Sequence, residues 1–343
     1  MALDHWEKLA KARQLVYDRA AHKTVQTISS AYDKAERQIF EDMRGILDNF
    51  QNYYGLNREE AKTLLSGQVS DAFVRMFRER VETLKDDARR RALEAELAAK
   101  AYRARLTRLE AIRYSAKVSM AQVADVEAEQ DKKALQEGAG VAYNRTMYDV
   151  QKSAGIMFHT EGMSTRRAAE ILRQNWSGKL YSARVWTNCN AVADQVARVM
   201  EEMVMSGKAS RQSMEELIGQ AIDNGRMAAN RLLRTEYNHI AGQAELDAYT
   251  DAKVTHYRYI AVLDGRTSKV CQELDGKVFP IAERKVGKNM HPMHPWCRSS
   301  TAPVINGAVL KKQKRIARDP KTGEIEYVPA YMTYTEWIKK KNQ

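Results

Sequence analysis

Residues 254–263 read Val254-Thr255-His256-Tyr257-Arg258-Tyr259-Ile260-Ala261-Val262-Leu263. β-Branched and aromatic side chains crowd this stretch, and they fit a pleated, half-buried surface better than a helix. It predicts the first strand of the chain. The residues before it carry helical periodicity, and those after it form short segments rich in turns. The fold class is therefore mainly α: long N-terminal helices and a helical middle region, then a small α+β C-terminal domain.

Downstream, Asp264-Gly265 turns the strand. Leu274-Asp275-Gly276-Lys277-Val278-Phe279 sets an Asp-Gly pair between apolar residues, which predicts a hairpin. A basic tail runs from 309 to 343 and contains Lys311-Lys312-Gln313-Lys314-Arg315. Its Asp319-Pro320-Lys321-Thr322-Gly323 is a turn. Tyr327 through Trp337 predict a strand and a short helix packed back on the body.

Upstream, residues 141–252 read as helices. Ser164, Ser182 and Ser210 stand where N-caps belong, and Ser213-Met214-Glu215-Glu216 has capping-box spacing. Trp176-Ser177-Gly178-Lys179 and Asp223-Asn224-Gly225 read as turns. Leu232, Leu233, Tyr237, Ile240, Ala244 and Leu246 face inward from a helix over 226–249. Cys189 lies in a helix and reads as a core residue.

Residues 4–54 predict one long helix, with Trp6, Leu9, Val16, Ala20, Ile28, Ala35, Ile39, Met43, Ile46 and Phe50 on its apolar face. Gly55 ends it, and Asn57 with Glu60 caps a short successor. Residues 70–135 predict a second long helix or two collinear ones. Its apolar face runs from Phe73 and Phe77 through Leu84, Ala88, Ala95 and Ala98 to Ile112, Ala116 and Val123. Gly138-Ala139-Gly140 is the first break. The implied domains are an extended helical arm (1–137), a helical domain (141–252), a small α+β domain (253–308) and the basic tail (309–343).

The composition agrees. The chain has 343 residues, 44% apolar and 29% charged, and a net charge of +12. That is a folded, multi-domain composition, and its basic excess favours a polyanionic partner. Between Arg75 and Arg113 basic residues outnumber acidic ones 12 to 7. Arg89, Arg90, Arg91, Arg103, Arg105 and Arg108, with Lys311, Lys312, Lys314 and Arg315 of the tail, are the candidate contacts to nucleic acid. Interspersed acids make a merely solvated face the competing reading. No apolar run approaches the roughly 18 residues of a membrane span, so no membrane is expected. MALDHWEKLAKARQ lacks an apolar h-region, so a standard signal peptide is not expected. Three cysteines do not make a disulfide scaffold.

One constellation carries chemistry. Cys271, His291, His294 and Cys297 fall within 27 residues, the last three in His291-Pro292-Met293-His294-Pro295-Trp296-Cys297-Arg298. Thiolate and imidazole are zinc's preferred ligands, and four of them close a structural site. Cys271 lacks a C-x-x-C partner, because position 268 is Ser. His291, water or Asp264 could complete the set. Two readings compete with zinc: a metal-free site held by hydrogen bonds, and a Cys271–Cys297 disulfide. Glu236, His239, Asp264, Arg266, Asp275 and His294 could also converge for acid–base chemistry. Yet there is no H-E-x-x-H, G-x-S-x-G or phosphate-binding Gly loop. The sequence reads as that of a non-enzyme, and the alternatives are a nuclease or group transferase using this cluster and a protein that is primarily a non-specific DNA binder.

In order along the chain stand Arg234-Thr235-Glu236, Leu263-Asp264-Gly265-Arg266-Thr267, Cys271, Leu274-Asp275-Gly276-Lys277-Val278-Phe279 and His294-Pro295-Trp296-Cys297-Arg298-Ser299. This series resembles the C-terminal domain of the MuF-like minor head proteins of tailed phages. Its motif residues here are Arg234, Glu236, Asp264, Arg266, Cys271, Asp275, His294, Cys297 and Arg298. The resemblance covers about residues 230–305, and the helical stretch from Tyr143 to Gly225 is similar to the family's helical part.

It implies a virion protein of the capsid interior at the portal vertex, present in the host cytoplasm during assembly. The implied partners are the portal protein, capsid or scaffolding proteins and double-stranded DNA bound non-specifically. The implied work lies in procapsid assembly, packaging or DNA ejection. Some relatives carry R-T-C-x-x-C, where this chain has Arg266-Thr267-Ser268 before Cys271. Many have Pro-Pro where this chain has His291-Pro292. About 40 residues follow Val304, too few for the toxin domain that some relatives carry there.

Overall fold

The computed structural model describes residues 5–47, 55–102, 106–154, 160–304, 314–320, 322–329 and 332–341. The helices up to residue 251 are α1 (His5–Ile46), α2 (Arg58–Ser66), α3 (Asp71–Glu82), α4 (Asp87–Tyr102), α5 (Arg108–Ala154), α6 (Thr165–Leu172), α7 (Tyr181–Met205) and α8 (Arg211–Asp251). The remainder is β1 (His256–Ile260), α9 (Lys269–Leu274), β2 (Val278–Pro280), β3 (Ser300–Pro303), β4 (Lys314–Arg318), β5 (Ile325–Pro329) and α10 (Tyr334–Lys341). This is a mainly α chain with a small α+β C-terminal region, as the sequence predicts. Among the described residues no helix is long and apolar enough to cross a membrane.

Two units form, each from separate stretches of chain. One comprises Met1–Lys23, Lys132–Leu180 and Arg231–Gln343, the other Thr24–Asp131 and Tyr181–Asn230. Three of the four boundaries fall inside α1, α5 and α8, and the fourth lies at the start of α7. The sequence-based divisions at 137, 252 and 308 follow chain order and do not coincide with these.

In the unit of Thr24–Asp131 and Tyr181–Asn230, the core takes Ile28, Tyr32, Ile39 and Met43 from α1, Phe77 and Val81 from α3, and Ile112, Ala116 and Val123 from α5. Val185, Cys189 and Met200 of α7 and Ile218 of α8 complete it. The stretch read as one or two helices over 70–135 is three. Asp86 caps α4 by accepting the Arg89 N–H at 3.0 Å. Thr107 and Glu110 form a reciprocal cap at the start of α5, with bonds of 3.0 and 3.2 Å. Ala88, Ala95 and Ala98 lie exposed on α4, which buries Leu97 instead. Alanine is tolerated on either face of a helix, so it gives a poor signal of orientation. The Asn57–Glu60 box forms as read.

Two glycine stretches read as breaks lie inside helices. Gly225 is in α8, where a Cβ would lie 2.7 Å from Cε1 of Tyr32 and 2.9 Å from Cγ2 of Val192. Gly138 is in α5 of the other unit, where a Cβ would lie 2.5 Å from the Tyr237 hydroxyl oxygen. Neither residue is a turn; each lets an aromatic ring approach the helix backbone. Ser182 lies within α7, not before it, and Ser213 is no cap. It supplies the hydroxyl that bonds Ser210, the true N-cap of α8.

In the unit that contains the C-terminal region, α1 buries Ala10, Arg13, Tyr17 and Ala21. The apolar face read through Leu9, Val16 and Ala20 is displaced by one residue. Arg13 explains this: its guanidinium is buried against Asp149 at 2.8 Å and Glu245 at 3.1 Å, and Tyr17 donates to Glu245 at 3.0 Å. A buried charge is tolerated when paired in this way. The predicted inward residues of α8 are all buried.

A three-stranded antiparallel sheet has the order β2-β1-β3, with Tyr257 opposite Phe279 and Pro303. The expected hairpin at Leu274–Phe279 does not form. Leu274 ends α9, and the Asp275-Gly276 turn, with Gly276 at φ +79°, leads from this helix into β2. The turn at 319–323 does join an antiparallel pair, β4 and β5. Trp337 of α10 is fully buried with Leu263, Ala317, Val328 and Tyr334.

Candidate metal centre

The strand β1 carries Tyr259 into a small core with Ala261, Cys271 and Cys297. Helix α9 brings Cys271. The segment between Met290 and β3 returns His294 and Cys297, with the Cys297 N–H donating to the His294 carbonyl at 3.2 Å. Trp296, within this turn, has φ +62°.

The donor atoms of Cys271, His294 and Cys297 all lie within 4.8 Å of one another. Cys271 Sγ is 3.9 Å from Cys297 Sγ and 3.5 Å from His294 Nε2. The three cysteines are free thiols. Ser268 Oγ lies 2.8 Å from the same His294 nitrogen, and the Tyr259 hydroxyl donates to Cys271 at 3.4 Å. The hydrogen bond with Cys297 pulls the Cys271 thiol down to about 4 against the effect of burial, with Ser268, Ser299 and Tyr259 assisting. Cys297 moves up through that same bond, its burial and the neighbouring sulfur. The two sulfurs titrate as one coupled pair, in which Cys271 is the more readily ionised. That is the ionisation a soft metal ligand needs.

His291 does not join this group. It is buried on the face of α8 where Gly242 leaves room, and its Nδ1 lies 2.7 Å from Asn238 Oδ1. A Cβ at position 242 would come within 2.6 Å of the imidazole. The four-ligand set read from the sequence is therefore three, with Ser268 beside them. Two thiols and an imidazole fit zinc in kind.

The remaining motif residues build the frame. Arg298 grips Asp264 through two bonds of 2.6 and 2.8 Å. Burial would raise the Asp264 carboxyl, but the Arg298 fork, the Arg266 N–H and the Thr267 hydroxyl hold it below the usual carboxylate range. Asp275 accepts the Ala261 N–H at 2.8 Å and the Tyr334 N–H at 2.9 Å, tying β1 to α10. On α8, Arg234 bonds Asp18 at 3.0 Å, and Glu236 accepts from the Trp176 indole at 3.0 Å. His239 stacks on Trp176 with ring centres 4.8 Å apart.

Sequence reading gave Thr235 no role of its own and passed over Asn238. Thr235 Oγ1 accepts the Trp296 N–H at 3.1 Å, and Asn238 donates to the Ser299 carbonyl at 3.1 Å. Polar residues among the apolar positions of α8 were the available signal.

Of the candidate nucleic-acid contacts, Arg89, Arg90, Arg91 and Arg108 belong to the unit of Thr24–Asp131 and Tyr181–Asn230, and Lys314 and Arg315 to the other. The Arg89 guanidinium lies 5.1 Å from the centre of the Trp186 ring, and Arg90 pairs with Asp87. Arg108 donates to the Leu64 carbonyl near the end of α2. Arg91 is exposed. Lys314 and Arg315 open β4, while Arg103, Arg105, Lys311 and Lys312 lie outside the described residues.

No curated protein and no solved structure matches the chain. The family model described as Phage Mu protein F like protein matches residues 194–302. That span contains the Cys/His group, the Arg298–Asp264 pair and the part of α8 that supports them. Residues 194–302 are accordingly a segment similar to the Phage Mu protein F like family.

Proposed function

We propose that this chain is a minor head protein of the portal vertex. It associates with the portal protein and with capsid or scaffolding proteins during procapsid assembly. In the virion it lies in the capsid interior and takes part in DNA packaging or ejection. The observation that carries this reading is the MuF-like segment at 194–302. The net charge of +12 supports sequence-independent contact with packaged double-stranded DNA.

Within that role, Cys271, His294 and Cys297 hold a structural zinc. The metal would tie α9 to the segment before β3, in a region with few apolar residues. Glu236, Asp264 and Asp275 are each bonded inside the frame, and that supports scaffolding over catalysis.

Co-expression with the portal protein tests the assembly role. Co-purification with portal rings at a salt concentration that abolishes any DNA shift supports it. Absence of the chain from mature particles refutes it. Metal analysis of the purified protein tests the zinc. Less than about 0.2 equivalents, with stability unaffected by a chelator, rejects that site.

A further inference from the structure

A cleft of about 580 Å³ opens beside the Cys/His group. Its size lies within the ~300–1,000 Å³ range of ligand pockets. Arg234, Arg266, Trp296 and Arg298 line it together with Tyr17 and Val262.

The three arginines differ. Arg298 already holds Asp264, and Arg234 already holds Asp18. Arg266 is exposed, and its guanidinium makes no hydrogen bond or ion pair among the described residues. Two forks in this wall grip carboxylates, and the third is open to one.

Trp296 is the second observation. The residue is 44% exposed, although it sits within a tight turn. A positive φ is costly for a bulky residue, and glycine or asparagine would make the turn with less strain. The backbone is nevertheless pinned there by Thr235, and the Arg234 guanidinium lies 5.9 Å from the ring centre. Backbone outliers of this kind cluster at functional sites, and this one sets the indole in the wall of the cleft. Tryptophan and arginine are also the side chains that dominate protein–protein contacts.

We propose that this cleft docks an acidic peptide segment of a partner protein, with a carboxylate on Arg266 and an apolar or aromatic side chain against Trp296. Nucleic acid suits it less well. A duplex is a convex cylinder, and a single strand needs a row of free cations along its backbone, whereas this cleft offers one. The docking site depends on these side chains alone and stands apart from the portal role.

The test uses the full chain and a fluorescein-labelled peptide, Glu-Asp-Leu-Tyr-Glu-Asp, read by fluorescence polarisation. Arg266→Ala should weaken binding about fivefold or more, because it removes a charge-assisted bond. Trp296→Gly should weaken it about tenfold while leaving the melting temperature unchanged or higher, since glycine accepts the backbone angle. A lysine-substituted peptide should not bind. No binding at about 1 mM peptide, or binding indifferent to both substitutions, overturns the proposal. So does tighter binding of an oligothymidylate that both substitutions abolish.

Discussion

The hydroxyl of Ser268 lies 2.8 Å from His294 Nε2, at the rim of the group formed by Cys271, His294 and Cys297. Position 268 is also the place from which a C-x-x-C pair would reach Cys271. Ser268→Cys therefore sets a third sulfur against the same imidazole and completes a Cys3His donor set. A closed structural site binds zinc more tightly than one that keeps a water. The expected outcome is near-stoichiometric zinc, retained at tenfold or more higher chelator concentration than in the wild type. Elemental analysis and a chelator titration measure both. Cys297→Ala should lose the metal, and unchanged zinc content in these two variants would remove the site.

Gly138 and Gly140 give a matched pair of predictions on one helix. A Cβ at Gly138 would lie 2.5 Å from the Tyr237 hydroxyl oxygen, whereas one at Gly140 would meet nothing within 4 Å. Alanine gains about 1 kcal/mol over glycine in a helix interior. At 140 that gain should appear, as a stabilisation of about 0.5–1 kcal/mol. At 138 overpacking should outweigh it, with a net loss of about 1–3 kcal/mol. Urea denaturation of the two variants reads the difference. Equal effects at both positions would mean that Tyr237 does not pack on α5 as described.

These glycines also mark the limit of what the sequence could tell. Local patterning found α1, the second half of α8, the strand at 256–260 and the packed tail around Trp337, because each is encoded by nearby residues. It misread Gly138 and Gly225 as breaks, because a glycine that opens space for a ring has the same local signature as one that ends a helix. It misplaced the first turns of α1, because a buried Arg13 looks like a surface charge until Asp149 and Glu245 are beside it. The same holds at the centre. Cys271, His294 and Cys297 were legible from residue type and spacing. His291 was assigned to them wrongly, because its partner Asn238 is 53 positions away.

Acid should loosen the unit that contains α9, and two histidines give the sign. Burial holds His239 neutral, with its pKa down to about 3. Burial, with the charge of His239 adding, does the same for His291. The unfolded chain takes up these protons near pH 6.5 and the folded chain only near pH 3. Between those values the unfolded state binds more protons, so stability falls as pH falls. Each histidine contributes a slope of about 1.4 kcal/mol per pH unit at most. Urea midpoints measured from about pH 7.5 to about pH 4.5 should show this decline. His239→Gln should remove about half of it. A variant with the full wild-type slope would show that His239 is not buried neutral.

Glu127 predicts the opposite slope in the other unit. Its carboxyl is buried between α1 and α7, where Tyr32 donates to it at 3.2 Å and Cys189 lies 4.0 Å away. Burial raises its pKa to about 7, against the effect of the Tyr32 bond. The folded chain therefore keeps this proton between pH 4.5 and 7, while the unfolded chain gives it up. Over that window the folded state binds more protons, so stability falls as pH rises. The contribution is whole below pH 4.5 and is lost as pH passes 7. Glu127→Gln keeps the shape and removes the titration. At about pH 8 it should stabilise the protein by up to ~3 kcal/mol, a figure set by a shift of about 2.5 units at about 1.36 kcal/mol each. At pH 4.5 it should change little. Thermal melts of both proteins at the two pH values decide the matter: a gain of the same size at both would mean that Glu127 is ionised in the folded chain throughout.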